Sequence, residues 1–192
     1  MNRLALLALP LLAACSGMPT AADFAARPSD SAVLPRDAFA GAGDPVRTAI
    51  ISSNATFGQS RPLSGQPGAA ARGIAQMEFL AVELPQNPNR YSASATLVPQ
   101  LNTARQEWRT AFDIAPDATA QPVINALYAA SRALESGQRD VAAAALPTSI
   151  FRRGGAATVA QLSALPTLPN TAAAAATAQQ ALMQGSPSAR EF

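Results

Sequence analysis

Residues 67–84 read Pro67-Gly-Ala-Ala-Ala-Arg-Gly-Ile-Ala-Gln-Met-Glu-Phe-Leu-Ala-Val-Glu-Leu84. Pro67 suits a first helical position, where its missing N–H is no loss. Apolar residues return at Ala70, Ile74, Met77, Leu80, Ala81 and Leu84, the spacing of one helix face. Arg72, Gln76 and Glu83 fall on the opposite side, and Pro85-Gln-Asn-Pro88-Asn closes the run. A stripe of this kind needs partners of the same kind to cover it.

The flanking chain supplies them. Upstream, Asp44-Pro45 pairs an N-cap with Pro at the first helical position. Val46, Ala49, Ile50 and Phe57 follow at helical spacing, and Gly58 suits the end. Downstream, a third helix is predicted over 99–114, with Leu97, Leu101, Ala104, Trp108 and Ala111 on one face. Gln106, Arg109 and Asp113 are expected to point away from that face, with Arg109 and Asp113 one turn apart. A fourth helix over 121–136 carries Val123, Leu127, Ala130 and Leu134 and stops at Gly137. Shorter helices are predicted over 138–146 and 156–165, with a last one over 170–183. Only residues 96–98 and 149–151 hint at strand, and neither alternates long enough to form one. The fold class is all-α. The expected form is a compact antiparallel bundle of about five to seven helices behind a disordered N-terminal tether. The domain occupies 44–184, and 185–192 form a C-terminal tail.

Composition then removes whole classes of chemistry. The chain of 192 residues has no His, one Cys, and 14 cations, every one of them Arg. Without His there is no imidazole base and no His-ligated zinc. Without Lys there is no Schiff base and no P-loop lysine. One Cys forms no internal disulfide and no Cys-rich metal site. Net charge is only +2, and no basic patch marks a nucleic-acid surface. The expectation is no cofactor, no metal and no nucleic acid. Paired-carboxylate catalysis remains open in principle, but the acids are scattered singly and no motif joins two of them. The body is therefore read as non-catalytic.

The most specific signal lies at the N-terminus. Arg3 precedes an apolar run from Leu4 to Ala14, the length of a signal-peptide core and too short for a stable membrane span. The run ends Leu12-Ala13-Ala14-Cys15. This stretch resembles the lipobox of bacterial lipoproteins processed by signal peptidase II. The resemblance covers these residues alone, and the body resembles no characterised family. It implies that 1–14 form a signal peptide, that Cys15 carries the lipid, and that the mature chain starts there. With Ser16 next, it implies an outer-membrane lipoprotein facing the periplasm and held by the lipid on Cys15; an envelope protein is a separate candidate partner for the body. Residues 15–43, rich in Ala, Pro, Ser, Asp and Gly, are read as a flexible tether. The alternative is an arm that docks on the body through Phe24 or Phe39.

Four further features bear on function. Arg152-Arg153-Gly154-Gly155 is the densest basic and flexible spot, a candidate contact for an anion or a partner. Arg105 and Arg109, one turn apart beside Glu107 and Asp113, are read as a solvated charged face with some capacity for a phosphate or carboxylate. Trp108 is read as core, and Tyr128 as a rim residue. Residues 127–146 are weakly similar to a tetratricopeptide-like hairpin, but one copy without a second reads better as a generic helix hairpin. Two functions are compatible with all this: a structural or partner-binding module, or a carrier or sensor enclosing a small apolar ligand. A cavity of about 300 Å³ or more in the bundle would favour the second.

Overall fold

The computed structural model describes residues 30–39, 43–58, 63, 65–87 and 96–185. Cys15, Phe24 and the 1–29 segment around them lie outside the described residues, as do 186–192. Among the described residues the fold is all-α, with seven α-helices: α1 Pro45–Phe57, α2 Pro67–Gln86, α3 Leu97–Ala111, α4 Ala120–Glu135, α5 Arg139–Ala144, α6 Gly155–Ser163 and α7 Pro169–Gly185. A single 3-10 turn, Arg36–Phe39, precedes them.

Local chemistry explains most of the boundaries. The Asp44 carboxylate accepts from the Val46 N–H at 2.9 Å and caps α1. Gly137 ends α4 at φ 73, a left-handed conformation that suits glycine, and its N–H reaches Leu134 O. Two boundaries differ from expectation. Pro85 does not end α2 but sits inside its last turn. Only the N–H that would have bonded back along the helix is lost there, and Asn87 N–H still reaches Glu83 O. The third helix begins and ends earlier than 99–114, closing at Ala111 before Asp113 turns to φ 49. Of the two strand hints, residues 97–98 are helical, while Phe151 forms an isolated antiparallel bridge with Ile114.

Helix α2 is the centre of the molecule, packed against α1, α3, α4 and α6. Residues 73–82 are all buried, so the helix is covered on every side rather than along one stripe. Gln76, expected on the polar side, is buried with them. Small residues make this enclosure possible. A Cβ on Gly73 would come within 2.6 Å of Thr56 and 2.9 Å of the Phe57 ring, and one on Gly68 within 2.9 Å of Glu135. These contacts bring the last turn of α1 and the last turn of α4 against the first half of α2. Helix α7 lies against α1 and α3 through Ala174, Ala175, Ala178 and Ala181.

The segment read as tether departs from that reading where it is described. Residues 30–38 lie on the bundle, with Asp30, Ala32 and Leu34 buried and Val33 facing solvent. The docking alternative named Phe24 and Phe39. The chain is instead anchored by Asp30, Ala32 and Leu34, while the side chain of Phe39 lies outside the described residues.

Candidate functional site

Glu78 stands midway along α2, fully buried. An ionised carboxylate in that place requires charged partners and several donors. Helix α3 provides both. On a helical wheel Arg105 and Arg109 fall about 60° and 100° to the same side of Trp108 and only about 40° from each other, so all three reach the same neighbour. Arg105 donates to Glu78 Oε1 from Nε at 3.0 Å and from Nη2 at 2.6 Å. Arg109 donates from Nε to Oε2 at 3.2 Å and from Nη2 to Oε1. Trp108 Nε1 completes the set on Oε2 at 2.9 Å. Arg109 also reaches Ala118 O at 3.0 Å.

A second acid joins from the docked arm. Asp30 Oδ2 accepts from Arg105 Nη2 at 3.2 Å, and Oδ1 accepts from the Ala120 N–H at 3.3 Å. Asp30 thus caps α4, whose own N-cap Thr119 makes no side-chain cap bond. Two carboxylates and two guanidiniums meet, and their formal charges cancel. Burial alone pushes the Glu78 carboxyl upward, but Arg109 and Arg105 outweigh it and hold it at about 2. Burial likewise works against the Arg105 charge, and Glu78 and Asp30 more than offset it, raising Arg105 further.

This geometry corrects several expectations. Arg105 and Arg109 are not a solvated face; both are buried, and they bind the chain's own carboxylate. Arg109 does not point away, and its partner is Glu78 rather than Asp113. Two of the acids are not scattered, since Glu78 and Asp30 share Arg105. Tyr128 is buried rather than on a rim, and that burial raises its phenol above the usual range. Trp108 is core, as expected, with no exposed surface. Glu78 had no signal of its own: between Met77 and Phe79 it reads as one polar position in an apolar run. Its partners lie 27, 30 and 31 residues away.

The other candidates are also engaged. Asp113 Oδ1 accepts from Arg152 Nε and Nη2 at 3.1 and 2.8 Å, and Arg153 Nε stands 3.9 Å from Oδ2. Both arginines remain about half exposed. Beside α3 runs an open groove of about 460 Å³ between Thr103, Gln106 and Thr110 on one side and Pro166 to Leu168 on the other. Glu107 on its wall is bound to α7. Its carboxylate accepts from the N–H groups of Asn170 and Thr171 at 3.0 and 2.8 Å, and from both of their side chains. Among the described residues no cluster of acids or Cys has the makings of a metal site. No helix among them is long and apolar enough to cross a membrane. No protein-family model, curated protein or solved structure matches this chain.

Proposed function

We propose that the chain is a lipid-anchored envelope lipoprotein whose helical body is a non-catalytic structural or partner-binding module. The observation that carries the anchor is Leu12-Ala13-Ala14-Cys15, with the only thiol of the chain at the position that takes the lipid. The membrane is reached through Cys15, on the outer membrane's periplasmic side. One acyl chain binds a bilayer only marginally, and two or three make attachment lasting.

What supports a non-catalytic body is the engagement of its acids. Glu78 at about 2 stays ionised near neutral pH, so it has no proton to give as an acid. Its five donors leave little room for a substrate proton. Asp30, Glu107 and Asp113 each hold a helix end or an arginine. The groove beside α3 is an opening, among the described residues, that bears on the carrier or sensor reading. That groove is open rather than enclosed, which favours the partner-binding reading over a ligand held inside the bundle.

Blocking signal peptidase II tests the anchor. The expected outcome is a precursor longer by the 14 residues that precede Cys15. Cys15→Ser abolishes labelling by a fatty-acid probe and moves the body to the soluble fraction. Membrane fractionation unchanged by Cys15→Ser rejects the anchor.

A further inference from the structure

The arm lies on the body as a bound peptide lies on a receptor. Its side chains alternate: Ser31 out, Ala32 in, Val33 out, Leu34 in, the period of an extended chain on a surface. Its backbone is read by glutamines from two helices. Gln121 of α4 donates from Nε2 to Val33 O at 3.0 Å and accepts from Val33 N–H at 2.6 Å. Gln86 of α2 donates to Asp30 O at 2.6 Å. The carboxylate of Asp30 is gripped between Arg105 and the first amide of α4. At the far end Asp37 meets Arg132 at 2.7 Å on the solvent side.

Charge states what the site requires. Glu78, Arg105 and Arg109 together carry one positive charge in excess, buried, and Asp30 cancels it. The receptor side is built by α2 with α3 and α4 each packed on it, contacts that do not involve the arm. From this we propose that the α2–α3–α4 face is a peptide-binding groove occupied in cis by residues 30–37. It takes in trans an extended segment of a partner protein that presents Asp, then a small residue two places on, then Leu two places further. This deepens the partner-binding part of the proposed function and is independent of the lipid on Cys15. A failure here leaves the fractionation result standing, and the reverse.

The test uses the full chain with its arm weakened by Asp30→Ala and Leu34→Ser. The probe is a blocked, fluorescein-labelled peptide of residues 30–39. Fluorescence anisotropy is expected to show saturable binding, about tenfold tighter to this variant than to the unaltered chain, whose groove is filled. A peptide carrying Asp30→Asn binds at least about tenfold more weakly, because the buried excess charge stays uncancelled. Should the double variant lose its helical circular dichroism, Val33→Pro replaces it. That change removes one exposed amide donor and no core contact. A flat anisotropy trace with a folded variant overturns the proposal, as does equal binding of the Asn peptide. Concentration-dependent dimers of the unaltered chain, lost in Asp30→Ala, overturn the foreign partner by giving the groove to a second copy.

Discussion

Glu78 stands where an apolar side chain would fill the space without a charge to satisfy, and the two arginines that answer it have no other ionised partner as close as Glu78. Removing one member of such a buried pair strands the rest, which is worse than never having built it. Glu78→Gln keeps the shape and leaves Arg109 without its counter-charge. The expected loss is about 3–5 kcal/mol, read as a lower denaturant midpoint at unchanged slope. Arg152→Ala is the control: its pair with Asp113 is half exposed, so the midpoint is expected to move by less than about 1 kcal/mol. Equal effects from both would mean that burial is not what gives the Glu78 pair its weight. Trp108→Ala removes a fully buried ring and a donor to Glu78, and about 3–5 kcal/mol is expected to go with it. The native Trp emission should be blue-shifted; a solvent-like spectrum with unchanged stability would contradict the packing. Trp108 was legible because its stripe repeats Leu101 and Ala104. Glu78 was not, since hydrophobic periodicity says nothing of what a polar residue meets across the core.

Helices were legible wherever their signals are local: Asp44-Pro45 for α1, Pro67 for α2, Gly137 for the end of α4. The starts of α4 and α7 fall within one residue of the expected 121 and 170, but their caps were not legible, because they come from elsewhere in the chain. Asp30 caps α4 from the arm, and Glu107 caps α7 from α3. A rule that looks for Ser, Thr, Asp or Asn just before the helix cannot see a carboxylate 63 or 90 residues away. Glu107→Ala is expected to free the first amides of α7 at a cost of about 1 kcal/mol. Amide exchange in its first turn should quicken about fivefold, while α4 keeps its rates. Exchange unchanged in α7 would show that the helix is held by its alanine face alone. Close approach of backbones is the other element-scale device. A Cβ on Gly155 would lie 1.8 Å from the Ala143 carbonyl oxygen, so α5 and α6 would have to part. Gly155→Ala is expected to cost about 1–3 kcal/mol in a thermal melt, whereas Ala156, exposed one residue on, tolerates Ser without a measurable shift.

At the scale of the whole molecule the cluster joins α2 to α3 through Glu78, and α3 to the arm and α4 through Asp30, so protonation of Glu78 is felt across all four. An ordinary glutamate of the unfolded chain titrates near 4.5, and folding lowers Glu78 to about 2. A folded value below the unfolded one means that the unfolded chain takes up the proton first as pH falls. The contribution is therefore complete above pH 4.5 and drains away between 4.5 and 2. Its size is on the order of 3 kcal/mol, a large share of a small domain's stability. Arg105, raised further above an already high value, stays charged throughout and adds nothing to this window. Protonating Glu78 then leaves two buried guanidiniums facing a neutral acid, with only Asp30 to balance them. Denaturant midpoints measured at pH 7, 5, 4 and 2.5 should be level down to 5 and fall steeply below it. In Glu78→Gln the unfolding free energy starts lower and the fall is smaller by the Glu78 share, because the group that takes the proton is gone. A parallel fall in both proteins would place the acid sensitivity in the exposed carboxylates and remove Glu78 as the joint that holds arm and bundle together.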